Sequence, residues 1–547
     1  MLPLKNALLF FVLSLAVAAL SQADTAPVVE LGYATYAGSY VGDTTHFVGM
    51  RYAAPPIDAL RWRAPQALST TADTVENATA IPARCPQGSS GASATNPFLS
   101  NTSLHERTGG EHDKRQDLES SEDCLYLSIY SPGHIDPSVG TNLSLPVIFW
   151  IHGGGYQMGS GVDSGYDLIP VSSGEVVVVV IQYRLGLFGF LAGDAVKQGG
   201  ELNAGLLDQQ FALQWTQEHI SKFGGDPTQV TIWGESAGAG SVLQQVITNG
   251  GQTNPPLFKR AMTSSTFLPS QYAWNEPFPE YWYTQVVNGA GCTDAQDALE
   301  CLRAADTTVL QNLDATLCRS AFVGTFVFVP VVDDALITQS PISAFLNGDV
   351  NGEGILAVTN ADEGSIFIDK SLTISSNVES YLHQLFPRLS SASIDQALQI
   401  YAPVADDSTE GNLTQVIAIH AESIFVCPSY YVLRAFGSEA PGYKAEFALP
   451  PATHASDVAY YFPSTVTPTY KNENFSATFA GSFVSFALTG DPKEGSLSAW
   501  SRFEGENVEM QFNSTEAGEP AYDVIHTDEA RLERCAFWNG VREETGQ

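Results

Sequence analysis

Short apolar runs alternate with longer amphipathic stretches through the middle of the chain. The clearest runs, rich in β-branched and large aliphatic residues, are residues 145–151, 175–183, 230–233 and 354–359. Brief apolar runs of this kind are typical of strands buried on both faces of a parallel sheet. Because helical patterns separate them, we predict an α/β fold with a largely parallel sheet and helices on both faces.

One of these runs leads into a serine. Residues 230–240 predict a strand, then Gly234-Glu235-Ser236-Ala237-Gly238, then small residues that open a helix. A serine in a sharp strand-to-helix turn projects its hydroxyl from the top of the sheet, and small neighbours leave room for the turn. We therefore expect Ser236 to be a nucleophile, provided that a base can reach it.

A glycine segment follows the first apolar run, as His152-Gly153-Gly154-Gly155. Acyl transfer needs backbone N–H donors aimed at a tetrahedral oxyanion, and glycines let the backbone approach the substrate. The expected donors are the amides of Gly154, Gly155 and Ala237. Taken alone, three glycines after a strand also fit a flexible loop, and the serine turn makes the oxyanion interpretation the better one.

The acid and the base should follow the serine along the chain. After the strand-like run at 354–359, either Asp362 or Glu363 could orient a histidine. The later histidines are His383, His420, His454 and His526. The first two lie in helical patterns and the last in an acidic tail. His454 lies in a proline-marked loop, and since loops commonly carry catalytic residues it is narrowly preferred.

Together these motifs resemble the type-B carboxylesterase and lipase family, which includes secreted fungal esterases and lipases and, more distantly, cholinesterases. The motifs that carry the resemblance are Ser121-Glu122-Asp123-Cys124-Leu125, Gly153-Gly154-Gly155-Tyr156, Gln182-Tyr183-Arg184-Leu185-Gly186, Asn203-Ala204-Gly205-Leu206-Leu207-Asp208-Gln209-Gln210, Phe223-Gly224-Gly225-Asp226-Pro227 and Gly234-Glu235-Ser236-Ala237-Gly238.

The resemblance implies an α/β-hydrolase with a large, mostly parallel sheet and loops inserted over the active site. It assigns the acid to Glu363 and the base to His454, and leaves Asp362 as a turn carboxylate. It also implies two ion pairs, which join Arg61 to Glu122 and Arg184 to Asp208. The activity implied is hydrolysis of small-molecule or lipid-like esters without a cofactor.

The acyl side of the site can also be aligned with the family. Residues 324–330 resemble the acyl-pocket strand of cholinesterases, in which two bulky aromatic residues restrict the acyl group. Here Gly324 occupies one such position and Phe326 the other. One hypothesis is a pocket open on one side to acyl groups longer than acetyl. The alternative is that Phe326 belongs to the core, which an aromatic strand also fills well.

The loop between Cys85 and Cys124 corresponds to the flap of the fungal lipases. A flap that opens on lipid needs an apolar stripe. The large apolar residues in this loop are few: Phe98, Leu99, Leu104 and Leu118. We predict a solvated loop and no interfacial activation. A short lid turn made by the first three of these residues is the alternative.

The amino-terminal residues predict secretion. Residues 1–23 combine one early lysine, an apolar core and a small-residue cleavage site, as a signal peptide does. The remaining 24–547 are expected to form one hydrolase domain with insertions, because the expected catalytic residues span 236 to 454. Sequons for N-glycosylation begin at Asn77, Asn101, Asn142, Asn412, Asn474 and Asn513.

The chain has seven cysteines. Proximity along the chain suggests the pairs Cys85–Cys124 and Cys292–Cys301, which the family resemblance supports. The resemblance adds Cys427–Cys535. Cys318 is then left over, and the apolar residues after it indicate a buried thiol.

The net charge of the chain limits the classes of molecule that it can bind. The net charge of −35 disfavours nucleic acid and anionic membranes. No metal-binding or dinucleotide-binding motif is found, and past the signal peptide no apolar run is long enough to span a membrane.

The alternatives to a carboxylesterase are a lipase or sterol esterase with a lid, an esterase for hydroxycinnamoyl esters, and a non-catalytic binding protein on the same fold. A cholinesterase is disfavoured because the 85–124 loop has no tryptophan.

Overall fold

The computed structural model describes residues 26–69, 74–99, 119–138, 140–161, 165–371, 377–404, 411–438, 440–493, 497 and 499–547. The predicted signal peptide lies outside these residues. The strands are β1 Val28–Glu30, β2 Thr35–Ala37, β3 Ser39–Val41, β4 Thr44–Arg51, β5 Val75–Asn77, β6 Tyr126–Pro132, β7 Leu145–Ile151, β8 Val177–Ile181, β9 Gly225–Glu235, β10 Arg260–Ser264, β11 Ile355–Asn360, β12 Gly442–Phe447, β13 Val508–Ser514 and β14 Pro520–His526.

Helices follow most of the parallel strands. They are α1 Leu168–Val171, α2 Gly186–Phe190, α3 Asp194–Gly199, α4 Ala204–His219, α5 Ala237–Gly251, α6 Pro277–Gly289, α7 Ala298–Ala304, α8 Thr307–Ser320, α9 Pro341–Asn347, α10 Val378–Leu385, α11 Ser391–Tyr401, α12 Gly411–Ala421, α13 Cys427–Ala435, α14 Val458–Tyr461, α15 Glu473–Thr489, α16 Glu529–Gly540 and α17 Arg542–Thr545. A π-helical segment, Glu422–Val426, joins α12 to α13.

An 11-stranded sheet runs through the molecule in the order β14-β13-β12-β11-β10-β9-β7-β8-β6-β4-β3. The strands from β13 to β8 in this order are parallel, and the strands at both edges are antiparallel. A small sheet of β1, β2 and β5 is separate. The predicted α/β-hydrolase architecture is confirmed.

Side chains of the central strands alternate between two buried cores. In β7, Val147, Phe149 and Ile151 join the larger core. Ile148 and Trp150 join the core on the opposite face of the sheet. Since successive residues of a strand point to opposite faces, a strand covered on both sides must be apolar throughout. This is why the β7 and β8 runs are continuous.

The register of the sheet sets the position of the site. Ile151 pairs with Gly234 across β7 and β9, and Asn360 pairs with Phe447 across β11 and β12. The carboxyl ends of these parallel strands therefore lie along one edge of the sheet. The loops that follow them carry the candidate functional residues.

Two buried ion pairs brace the loops beside this edge. Arg61 contacts Glu122 at 2.6 Å, and Arg184 contacts Asp208 at 2.7 Å, with all four side chains at most 5% exposed. The family resemblance implied both pairs. Because removal of one partner leaves an uncompensated buried charge, each pair is costly to break, by about 3–5 kcal/mol.

Disulfides join Cys85 to Cys124, Cys292 to Cys301 and Cys427 to Cys535. Cys318 is a buried free thiol. These are the pairs that the family resemblance implied, with the seventh cysteine left over as expected.

The carboxyl-terminal region is tied to the rest of the protein. His526, which the sequence places in an acidic tail, ends β14. The polar residues 543–547 predict a frayed tail, and this prediction is wrong, because the Gln547 side chain is 2% exposed and donates to the carbonyls of Leu268 and Ser423. The polar composition of the segment conceals these contacts, which involve residues far away in the sequence.

Within the described part of the chain, one helical stretch, Asn412–Ala435, is long and apolar enough to cross a membrane. Its most apolar window is 83% buried inside the protein. A helix that is apolar around its whole surface is expected in the core of a large protein. This stretch is therefore a core element.

Candidate active site

Ser236 occupies the sharp turn between β9 and α5. Its φ of 56° and ψ of −122° form a conformation that costs a non-glycine residue roughly 1–3 kcal/mol. The flanking glycines allow the turn, since a Cβ on Gly234 would lie 2.4 Å from the Gly238 carbonyl carbon. A Cβ on Gly238 would lie 2.0 Å from the Ile151 oxygen. Larger residues at either position would force the strand and helix apart.

The glycine segment after β7 lies directly beside the serine. A Cβ on Gly153 would lie 3.0 Å from Ser236 Cβ. Gly154 and Gly155 have φ values of 104° and 64°, in the region that favours glycine. No hydrogen bond among the described residues uses the backbone N–H of Gly154, Gly155 or Ala237. This segment and the start of α5 thus offer donors to a ligand atom near Ser236.

The structure brings His454 and Glu363 together. His454 Nδ1 lies 2.6 Å from Glu363 Oε2, a short distance typical of a charge-assisted hydrogen bond. Glu363 is fully buried, and its other oxygen accepts the Asn360 backbone N–H at 2.7 Å. The carboxylate is therefore fixed at the end of β11 and orients the imidazole that follows β12.

A second carboxylate faces the other ring nitrogen of His454. Nε2 lies 3.3 Å from Oε1 of Glu235, the residue before the serine. Among the described residues no hydrogen bond joins Ser236 Oγ to this ring, and such bonds are often long before substrate binds. Sequence reasoning assigned no role to Glu235, although its position within the serine motif signals proximity to the reaction centre.

Glu363 and Glu235 favour the protonated, positively charged form of His454. Burial alone would lower the pKa of His454, but the charges of Glu363 and then Glu235 outweigh it, and the pKa is raised above its ordinary value. A raised pKa means that the surroundings stabilise the imidazolium. That is the form which a general base takes once it has accepted a proton.

The neighbouring carboxylates do not bind the imidazole. Asp362 Oδ1 accepts the Ser365 backbone N–H at 3.2 Å, which closes the turn after Glu363. Asp457 accepts from Asn360 at 3.0 Å and from the Tyr461 hydroxyl at 3.1 Å. Burial raises the pKa of Asp457, and the nearby charge of Glu363 adds to the effect. Asp362 thus has the turn role that the resemblance assigned to it.

Rings from distant segments pack around the base and form what we call the aromatic wall: Phe326, Phe367, Phe425 and His420. The Phe367 and Phe425 ring centroids lie 4.9 and 4.6 Å from that of His454. Phe367 also stacks on His420 at 5.1 Å. Sequence reasoning named Phe326 and His420 separately and did not place them together, and it missed Phe367 and Phe425, because these rings belong to no motif and the fold brings them together.

The two residues assigned to the acyl pocket, Gly324 and Phe326, line one cavity. Gly324 has a φ of 78°, and a Cβ there would lie 2.3 Å from the Phe367 carbonyl oxygen. The Phe367 backbone therefore occupies the space toward which a side chain at 324 would point. The Phe326 ring lies against Gly155, where a Cβ would be 2.0 Å from it, and also packs against the larger core. A pocket open to acyl groups longer than acetyl stays a prediction.

The structure describes the first part of the loop after Cys85, up to Leu99. Phe98 is half-buried and stacks on Phe278 with ring centroids 3.8 Å apart. Leu99 is 45% exposed. Leu104, Leu118 and the sequon at Asn101 lie outside the described residues. The predicted solvated loop and its alternative, a lid turn, thus stay predictions for the rest of this loop.

The remaining histidines lie away from the acid. His383 is on α10 and His526 on β14. His420 is buried on α12 as expected, but borders the base through the aromatic wall. In the described ranges, no group of three His, Cys, Asp or Glu side chains is arranged to hold a metal ion.

Comparisons with known proteins agree with this geometry. The model of the carboxylesterase family matches residues 25–538. Carboxylesterase patB of Aspergillus clavatus is 28% identical, over 94% of this chain and 96% of its own length. Secreted lipase 1 of Botryotinia fuckeliana is 33% identical over 67% of this chain, and the match spans 65% of that lipase. The crystal structure of Aspergillus niger EstA has a TM-score of 0.80 at 28% identity, and the match covers 96% of this chain and 99% of EstA.

The sheet and the strand-end residues define an α/β-hydrolase. Within that class, the chain belongs to the carboxylesterase family, whose members are carboxylic ester hydrolases.

Proposed function

We propose that the protein hydrolyses carboxylic esters through a triad of Ser236, His454 and Glu363. Ser236 Oγ attacks the ester carbonyl carbon while His454 Nε2 takes the hydroxyl proton. The tetrahedral oxyanion accepts hydrogen bonds from the amides of Gly154, Gly155 and Ala237. His454 then gives its proton to the departing alkoxide, and an acyl-enzyme is left on Ser236.

Deacylation follows the same path with water as the nucleophile. His454 takes a proton from the water, the new oxyanion uses the same amides, and the proton returns to Ser236 as the carboxylic acid leaves. Glu363 holds the ring and stabilises its charged form throughout. The observation that carries the proposal is the 2.6 Å contact between His454 Nδ1 and Glu363 Oε2 beside the strained serine turn.

A fluorophosphonate probe tests the proposal. We expect it to label the native protein at Ser236 and to fail with Ser236→Ala, because only an activated serine reacts. Ser241 is a matched control, since its hydroxyl bonds the Ala237 carbonyl on the same helix. Ser241→Ala should keep the label. Labelling of Ser236→Ala, or no labelling of the native protein, would contradict the triad and favour a binding protein on this fold.

We also propose that the protein is secreted as a glycoprotein of one domain, residues 24–547. The relative from Botryotinia fuckeliana is named a secreted lipase, and the three disulfides suit an oxidising compartment. Asn77, Asn142, Asn412 and Asn474 are exposed, whereas Asn513 is half-buried. Mass spectrometry of the secreted protein should find residue 24 at its amino terminus and glycans at the exposed sites.

A lipase is the second candidate, because Lipase 2 of Geotrichum candidum is 29% identical over 92% of this chain. The two functions differ in their response to an interface. An esterase should hydrolyse tributyrin along a smooth saturation curve across the solubility limit. A sharp rise in rate once droplets form would favour the lipase and overturn our preference for a solvated loop.

A further inference from the structure

A cavity of about 120 Å³ is bordered by two members of the aromatic wall, Phe326 and His420. Its lining includes Phe267, Gly324, Phe326, Pro387, His420 and Ile424. Phe326 belongs both to this lining and to the cover over Gly155. The cavity therefore begins where the acyl group of an ester would leave the oxyanion amides. Its volume is close to the roughly 150 Å³ of an engineered cavity that binds benzene.

His420 brings a polar ring into this lining. Its side chain is 2% exposed, and Nδ1 lies 2.8 Å from the hydroxyl oxygen of Tyr381, which is also buried. Among the described residues Nε2 makes no hydrogen bond. Because the ring is part of the cavity lining, this nitrogen is available to a group that enters the cavity.

The contact with Tyr381 favours one tautomer of the His420 ring. Within the described chain, Nδ1 of His420 is the side-chain atom at hydrogen-bond distance from the Tyr381 hydroxyl. If Nδ1 carried the proton, the phenolic hydrogen would be buried without an acceptor, at a cost of about 1–3 kcal/mol. Nδ1 is therefore the acceptor, and Nε2 carries the hydrogen.

The ring is also uncharged. Burial lowers the pKa of His420 to about 3, and the proximity of His454 adds to the effect. Nε2–H is thus a neutral donor at the pH of an ordinary assay. A neutral donor in a largely apolar cavity, with no cationic side chain among its described lining residues, suits an uncharged oxygen, because a carboxylate there would lose its hydration without gaining a counter-charge.

We propose that His420 is a specificity-determining residue. Its Nε2–H donates a hydrogen bond to an uncharged oxygen, such as a ring methoxy or hydroxyl group, on an aromatic acyl chain. The size of the cavity and its phenylalanine lining suit an aryl ring, which packs edge-to-face with other rings. This inference rests on the proposed esterase function and gives that function a substrate class.

Binding to the Ser236→Ala protein measures the effect without turnover. Methyl 3-(4-methoxyphenyl)propanoate supplies an acceptor oxygen, and methyl 3-(4-ethylphenyl)propanoate has the same shape without one. We expect the ratio of their Kd values, from calorimetry, to shift by about five- to tenfold against the methoxy ester when His420→Phe is added, as one neutral hydrogen bond implies. His420→Gln, which keeps a donor, should restore part of the preference.

Tyr381→Phe provides a second variant that leaves the imidazole in place. Without the hydroxyl, Nδ1 no longer has to be the acceptor, so the preference for the methoxy ester should fall part of the way. An unchanged ratio in His420→Phe, or an equal loss of affinity for both esters, would overturn the inference and leave His420 a packing residue. Failure to bind either ester would overturn it as well.

Failure of the proposed esterase function would give a different result from failure of this inference about the substrate class. If the native protein hydrolyses neither ester and is not labelled by the fluorophosphonate, the triad is wrong. If it hydrolyses both esters but the binding ratio is the same with and without His420, only the substrate class is wrong.

Discussion

The strand-end machinery and the aromatic wall meet at His454 but are held in place in different ways. Ser236 and Glu363 are positioned by backbone, at the ends of β9 and β11, where the register of the sheet fixes them. Phe367 and His420 are positioned by ring packing between segments that no strand connects. The reacting atoms must be positioned precisely, and residues fixed by the backbone meet that requirement. Packed side chains form a surface that can select among substrates. Changes in the first region should alter kcat, and changes in the second should alter selectivity.

The largest expected difference is that between the effects of substituting His454 and His420 on kcat. We expect His454→Ala to lower kcat on 4-nitrophenyl butyrate by about 10⁴-fold or more, because the general base is lost. His420→Phe should lower it by less than about tenfold, since the donor contributes only to binding. Similar losses in the two variants, at unchanged thermal stability, would remove the distinction between the regions.

Substitutions of the adjacent carboxylates Glu363 and Asp362 should differ in their effect on kcat nearly as much as those of the two histidines. Glu363→Gln keeps the shape but cannot stabilise the imidazolium, and kcat should fall by about 10³–10⁴-fold. Asp362→Asn is the matched control, since Asp362 only closes the turn through Ser365. We expect it to keep kcat within about threefold and to lower the free energy of unfolding by about 1 kcal/mol. The opposite ranking would reassign the acid.

Phe326 is where the two regions touch, so its removal should change both. Phe326→Ala should open the cavity to the site and raise the ratio of kcat/KM for octanoate over acetate esters by about tenfold. The acetate rate itself should fall, because Gly155 loses the ring that packs on it. Phe345→Leu, in the core on α9, is the control for lost packing. A ratio that shifts equally in both variants would make Phe326 a core residue.

The smallest effect concerns the pH dependence. The free base must be neutral, so kcat/KM should decline as the pH falls through the pKa of His454, which carboxylates raise above the ordinary value near 6.5. Glu235→Gln removes one of these charges and should move the acidic limb to lower pH. Gln511→Glu, a new carboxylate on β13 away from this ring, should leave the limb in place. A shift to higher pH in Glu235→Gln would contradict the stated role.

The site residues that could be predicted from the sequence are those whose positions are fixed by the local backbone geometry. Small residues around Ser236 and the glycines after β7 are required by local geometry, and they formed contiguous motifs. Phe367, Phe425 and the Nε2 atom of His420 satisfy no local requirement, so no spacing could reveal them. Gly324 combines both cases, since its aligned position was identified from the sequence, but the Phe367 backbone that occupies the space beside it comes from the turn after Glu363. The anchoring of Gln547 was missed for the same reason.

The π-helical segment has a consequence for sequence change in this fold. Its wider turn holds one residue more than an α-helical turn would. A deletion of one residue there would convert the segment to ordinary α-helix and leave the two halves in nearly the same rotational relation. The same deletion within α12 or α13 would rotate one half against the other by about 100°. Either the His420–Tyr381 contact or the Cys427–Cys535 disulfide would then have to break. The π-helical segment is therefore the one part of this helix where the chain can lose a residue without separating the cavity from its covalent anchor.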